Sequence, residues 1–219
     1  MSQKVCVIVG FGTGVSAGVA KVFGKEGYTL ALVARNPAKL ADNAQVLIAE
    51  GFSVQTFTAD AGDEASLIQA FTRIRAELGD PEVLIYNAAG FTPGKPSSLT
   101  SQGLVADFQV NVAGALAAVQ QVLMAMQANR KGTILLTGGG LALYPAAEAS
   151  SLSIGKAGIR SLAFTLAQEL QESGIHVGTV TICGTVQSGT HFDPDAIAQS
   201  YLALHHQLPA AFETEVIYK

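Results

Sequence analysis

The sequence predicts an α/β protein: a doubly wound parallel sheet of about seven strands with helices on both faces. Two observations carry this. Short apolar runs alternate along the whole chain with longer segments of helical periodicity, which is the pattern of repeated βαβ units around a parallel sheet. The apolar runs are continuous rather than alternating, as expected of strands buried on both faces. Composition agrees with a packed domain. Of 219 residues, 49% are hydrophobic and only 14% charged, against ~25% charged in an average soluble domain. No Pro/Ser linker, charge block or low-complexity tract marks a boundary, so residues 1–219 are expected to form one domain.

Each element follows from its local pattern. Residues 5–9 form an apolar run ended by glycine, the first strand. Residues 14–27 carry Val15, Val19, Val22 and Phe23 at helical spacing. Residues 29–34 read as the second strand. In 37–50, Pro37 suits a first helical turn, Leu40, Ala44, Leu47 and Ile48 form a stripe, and Gly51 ends the helix. A third strand at 54–59 precedes a helix at 63–78, with Leu67, Ile68, Phe71, Ile74 and Leu78 on one side. Residues 83–86 are the fourth strand, 100–129 one long helix and 133–136 the fifth strand. A long helix at 149–172, stopped by Ser173-Gly174, leads to a sixth strand at 176–182. A short helix at 194–206 and a strand at 213–218 complete the pattern. The longest stretches without periodicity, 89–98 and 183–193, fall at carboxyl ends of strands, where such sheets bind ligands.

Several functions are disfavoured. The formal net charge is −4, so neither nucleic acid nor an anionic membrane is an expected partner. Cys6 and Cys183 are far apart, lack metal-ligand spacing and lie in apolar runs, which reads as two reduced, buried thiols and no metal site. The N-terminal apolar run is too short for a signal-peptide core, and no run approaches ~18 apolar residues. A cytoplasmic protein is expected.

A glycine-rich turn, Gly10-Phe11-Gly12-Thr13-Gly14, joins the first strand to the first helix. Backbone N–H groups and a helix N-terminus then meet where a pyrophosphate can sit, as in a Rossmann-type dinucleotide site. The second strand ends in Ala34-Arg35-Asn36, without the acidic residue that holds the ribose hydroxyls of NAD. A guanidinium there suits a 2′-phosphate, so NADP(H) is favoured over NAD(H).

With these residues the chain resembles the short-chain dehydrogenases/reductases over nearly its full length. The loop is similar to that family's TGxxxGxG, with Gly10 and Gly14 in place, Val9 for Thr and Ser16 for the third Gly. Ala59-Asp60 matches the adenine-binding acidic position, and Tyr86-Asn87-Ala88-Ala89-Gly90 resembles the NNAG turn. Asn111 matches the family's catalytic Asn. Cys183-Gly184-Thr185-Val186-Gln187-Ser188 resembles PGxxxT, with Cys for Pro and Ser for Thr. The resemblance implies that the cofactor is held by Gly10, Gly12, Thr13, Gly14 and Val15 in the first loop and Arg35 after the second strand. Asp60 and Ala61 follow the third strand, and Asn87 and Ala88 the fourth. Lys156, Gly184, Val186 and Ser188 complete the set. It also implies a homodimer or homotetramer built on the two long helices.

The family's chemistry is hydride transfer with proton transfer from a Tyr four residues before a Lys, and a Ser holding the substrate oxygen. Lys156 stands in Ser153-Ile154-Gly155-Lys156, but four residues earlier is Leu152. The Ser position falls on Gly139, in Thr137-Gly138-Gly139-Gly140. There is no Tyr between Tyr144 and Tyr201, so no small change of register restores the pair. Asn111 and Lys156 are the retained catalytic candidates. Tyr144, in the loop after the fifth strand, is a candidate replacement acid, alternatively an aromatic packed over the cleft. Ser150, Ser151 and Ser153 read as helix-capping or solvated hydroxyls. His191 reads as a loop residue able to reach the pocket mouth or simply solvated, and His205 and His206 as a solvated helix end. Two readings stay open: an NADP(H)-dependent oxidoreductase of a small carbonyl or alcohol with a degenerate active site, or a non-catalytic NADP(H)-binding sensor or partner subunit.

Overall fold

The structure is a computed structural model and describes residues 3–219. Its centre is a seven-stranded parallel sheet of order β3-β2-β1-β4-β5-β6-β7. The strands are β1 (Val5–Val9), β2 (Thr29–Ala34), β3 (Val54–Thr58), β4 (Val83–Tyr86), β5 (Gly132–Thr137), β6 (Ile175–Ile182) and β7 (Glu215–Tyr218). Helices α1 (Val15–Lys25), α2 (Pro37–Ala49) and α7 (Pro194–His205) cover one face. Helices α3 (Glu64–Leu78), α5 (Gly114–Asn129) and α6 (Ser150–Leu170) cover the other. The fold class, strand count and two covered faces are those the alternation predicts.

Strand burial explains the continuous apolar runs. Every residue of β1, β4, β5 and β6 is buried, because helices lie on both sides. Helix starts are fixed by side chains that satisfy free backbone N–H groups. Asn36 accepts from Lys39 N–H at the start of α2, with Pro37 in the first turn. Asp63 does the same for α3 and Asp193 for α7. The edge strand β7 is fastened by a bidentate pair, Arg160 Nε and Nη2 donating to Glu215 at 2.8 and 2.7 Å. Thr181 adds a third donor to the same carboxylate at 2.6 Å.

Two expectations are corrected. The single helix expected over 100–129 is interrupted: α4 (Ser101–Phe108) passes through a π-helical turn, Gln109–Ala113, into α5. The apolar spacing is compatible with either form, so periodicity does not reveal the wide turn. The whole segment 101–129 is also long and apolar enough to cross a membrane. Here Ala115, Val119, Val122 and Met126 instead pack in the core beside the sheet. His205 is the second correction. It is half-buried, with Nε2 3.0 Å from the Tyr28 hydroxyl and Nδ1 2.9 Å from Thr133 Oγ1. It ties α7 to the amino ends of β2 and β5, whereas His206 is exposed and 3.4 Å from Glu26.

Candidate functional site

The chain winds outward from β1 to β3 and returns to the other side of β1 with β4. That reversal leaves a crevice at the carboxyl ends of β1 and β4. A cavity of about 880 Å³ opens there. Of the residues expected to hold a cofactor, Gly10, Gly12, Thr13, Arg35, Asp60, Ala61, Asn87 and Ala88 line it.

The two loops flanking the crevice are bonded to each other. Asn87 N–H donates to the Val9 carbonyl at 2.8 Å, and Asn87 Nδ2 to the Gly10 carbonyl at 3.0 Å. Gly10 has φ +80°, and a Cβ there would lie 2.3 Å from the Ala88 nitrogen. Both the left-handed backbone and the close approach therefore require glycine. Ser16, in the place of the family's third glycine, stitches the loop: Gly12 N–H donates to Ser16 Oγ at 2.9 Å, and Ser16 Oγ donates to the Gly12 carbonyl at 3.2 Å. Gly14 caps α1 without a side-chain bond, and the first turn of α1 holds no acid. The positive end of the helix dipole, next to the lining residues Gly12 and Thr13, is thus uncompensated by a carboxylate of its own turn.

At the far end of the cavity, Arg35 is joined by Lys39, both exposed and lining it. Among the described residues, no carboxylate lies within ion-pair distance of either. Lys39 is not evident as a site residue in the sequence. It is brought beside Arg35 because Asn36 and Pro37 start α2 immediately, placing residue 39 in the first turn. Asp42 and Asn43 line the same end. Asp60 Oδ1 accepts from Gly62 N–H at 2.9 Å, which fixes the turn after β3.

The cavity lining stops at Gly90 and Val110. Gly14, Val15, Asn111, Lys156, Gly184, Val186 and Ser188 are not among its lining residues. Asn111 is buried in the π turn and exchanges two hydrogen bonds with the Gly90 backbone, accepting at 2.8 Å and donating at 2.9 Å. Gly155 of α6 presses against it: a Cβ there would be 2.4 Å from Asn111 Nδ2. Lys156 Nζ donates to the Thr137 carbonyl at 2.7 Å, and burial lowers its pKa to about 8. Gly139 faces the stem of Lys156, its Cβ position being 3.4 Å from Cε. Leu152 lies four residues before Lys156 on the same helix face.

Ser150, Ser151 and Ser153 are buried rather than solvated. Ser150 Oγ donates to the Gly94 carbonyl at 2.8 Å and Ser151 Oγ to the Thr92 carbonyl at 3.1 Å. Asp107 completes this clamp by accepting from Thr92 N–H at 2.7 Å. The loop after β4 is thereby fastened to the start of α6. Ser153 bonds the carbonyl of Ala149 at 2.9 Å. Tyr144 is 76% exposed and is not a lining residue of the cavity. His191 stacks on Tyr218 at 4.9 Å and bonds the Lys219 carbonyl at 3.1 Å, tying its loop to the last strand. Phe192 covers Gly184, where a Cβ would lie 2.2 Å from the ring. Cys6 is buried and Cys183 half-buried, both unpaired. Burial pushes the Cys6 thiol well above its ordinary range.

Residues 4–194 match the short chain dehydrogenase family. The chain belongs to that family. A 2,3-dihydro-2,3-dihydroxybenzoate dehydrogenase of Bacillus subtilis is 30% identical over 178 residues, 81% of this chain and 68% of the relative. Oxidoreductase UcpA of Escherichia coli is 28% identical over 185 residues, 82% of this chain and 68% of its own. Among solved structures, a metagenomic short-chain oxidoreductase in complex with NADP superposes with a TM-score of 0.89 at 25% identity. That match covers 99% of this chain and 97% of the other. As a short-chain dehydrogenase/reductase the chain has the family's oxidoreductase fold and nicotinamide-cofactor crevice.

Proposed function

We propose that this short-chain dehydrogenase/reductase binds NADP(H) and acts as an oxidoreductase on a small carbonyl or alcohol, with a degenerate active site. The observation that carries the cofactor choice is the cationic end of the crevice. Arg35 and Lys39 line it without a carboxylate in ion-pair distance among the described residues, and two cations suit a 2′-phosphate. The cradle at Gly10, which a Cβ would fill, and the open start of α1 suit a pyrophosphate. Asp60 suits the adenine, and Asn87 holds the loop edge. Lys156, cationic below a pKa of about 8, would hold the nicotinamide ribose, and Gly184, Val186 and Ser188 would border the ring. Bound there, the nicotinamide supplies or takes a hydride.

The chain's own contribution to proton transfer is reduced. Leu152 carries no acid where the family has Tyr, and Gly139 no hydroxyl where it has Ser. Asn111 holds the Gly90 backbone and acts as a positioning residue. A second reading, a non-catalytic NADP(H)-binding sensor or partner subunit, is favoured by those same two residues. Exposed Val105, Phe108, Leu116, Met124 and Ile154 on α4, α5 and α6 support a homodimer or homotetramer through these helices. Two unpaired cysteines suit a reducing cytoplasm. Titration with NADPH and NADH, followed by NADPH-oxidation assays on a carbonyl panel, separates the readings. Binding with turnover supports the oxidoreductase, binding without turnover the sensor, and no binding contradicts both.

A further inference from the structure

The turn after β1 divides its backbone N–H groups into two sets. Gly10 and Phe11 N–H both donate to the Val33 carbonyl of β2, at 2.9 and 3.0 Å. Gly12 N–H donates to Ser16 Oγ at 2.9 Å. The N–H groups of Thr13, Gly14 and Val15 have no acceptor among the described residues, as expected of a helix start without a side-chain cap. The boundary between held and free donors therefore falls after Gly12, and Ser16 sets it. Ser16 is 1% exposed, and its hydroxyl spends both of its roles on Gly12, accepting from the N–H and donating to the carbonyl at 3.2 Å. A helical serine often donates back to the carbonyl four residues earlier. Here the hydroxyl also holds the N–H, so both polar groups of one glycine are fixed. A Cβ on Gly12 would meet nothing within 4 Å. Packing around its Cα therefore does not hold that residue, and the two bonds to Ser16 do.

We infer that Ser16 is a positioning residue for the cofactor's pyrophosphate: it latches the glycine turn in the conformation that leaves the N–H groups from Thr13 onward free for the anion. The inference rests on the NADP(H)-binding reading above. A turn with glycine at 10, 12 and 14 has more backbone freedom to lose than any other. A ligand that must itself order such a turn binds more weakly by that cost, and a turn ordered beforehand avoids it. A glycine at position 16, as in the family's motif, has no hydroxyl with which to form these bonds. Because its N–H is turned to Ser16, Gly12 shapes the turn and is not itself an anion donor. The free N–H groups and the positive end of α1 supply the attraction. The latch acts on the pyrophosphate and not on the 2′-phosphate, which the functional reading places at the other end of the cavity with Arg35 and Lys39.

The test is calorimetric titration of wild type and Ser16→Ala with NADPH and with adenosine 2′-monophosphate, which lacks the pyrophosphate. Ser16→Ala is expected to weaken NADPH binding by about fivefold, the net worth of one neutral hydrogen bond, and to leave adenosine 2′-monophosphate binding unchanged. Ser16→Gly, which installs the family's residue, is expected to weaken NADPH binding at least as much. Amide exchange followed by NMR gives a second reading on the wild type alone. The Gly12 amide is expected to be protected in the free protein, and the Thr13 and Gly14 amides to gain protection only when NADPH is added. Equal weakening of both ligands, undiminished NADPH binding in Ser16→Ala, or a Gly12 amide that exchanges as fast as that of Thr13 in the free protein overturns this inference alone. Absence of NADPH binding by the wild type overturns the functional reading beneath it.

Discussion

A Cβ built on Gly139 sits 3.4 Å from Cε of Lys156, in ordinary van der Waals contact and with an extended backbone, φ −169°. The nearest atoms to a side chain at position 139 therefore belong to the flexible stem of Lys156, at ordinary contact distance. Gly139→Ser should fold normally. Combined with Leu152→Tyr, it should raise reduction of simple ketones by ~10²-fold or more, the scale of a restored acid. Steady-state kinetics on cyclohexanone check this, and no gain in a folded double variant counts against the site's alignment.

Arg35 and Lys39 line the same end of the cavity, and under the proposed function they would share the 2′-phosphate. Each should contribute a charge-assisted contact to a 2′-phosphate, so Arg35→Ala and Lys39→Ala should each weaken NADPH binding by roughly tenfold. NADH binding should hardly change, because the adenosine, pyrophosphate and nicotinamide contacts remain. Calorimetric titration of both cofactors with both variants checks the difference.

His205 sets a pH dependence of stability. Burial, first, and the neighbouring His206 and Lys131 lower its pKa to about 4 in the folded protein, against ~6.5 when unfolded. Below ~6.5 the unfolded chain binds the extra proton, so stability is complete above that pH and is lost as pH falls towards about 4. The difference in pKa corresponds to at most about 3 kcal/mol, and solvent screening of the half-buried ring reduces this to about 1–2 kcal/mol. Urea midpoints between these pH values should fall with acidity in wild type and fall less in His205→Gln.

Asp107 holds the loop after β4 through Thr92 N–H at 2.7 Å. Asp107→Ala removes this bond and leaves the Thr92 N–H with only the 3.2 Å bond to Ser151 Oγ, at a cost of about 0.5–1.5 kcal/mol. The Thr92 amide should exchange faster while core amides of β1 keep their protection. Hydrogen-exchange mass spectrometry resolves the two.

The fold is legible in the sequence because β1, β4 and β6 are buried on both faces, and two-sided burial writes itself as continuous apolar runs. The placing of Gly10 and Arg35 on the cavity is legible because both sit at fixed offsets from strand ends. Features made by contacts between distant segments are not. Lys39 joins Arg35 only because α2 starts at once, and the π turn at Asn111 depends on Gly90 on another element. The buried roles of Ser150, Ser151 and His205 depend likewise on partners 56, 59 and 177 residues away.

The most direct test of the account is a side-by-side titration of the purified protein with NADPH and NADH. Saturable binding of both is predicted, tighter for NADPH, with the preference reduced roughly tenfold in Arg35→Ala. No NADPH binding, or tighter binding of NADH, would contradict it.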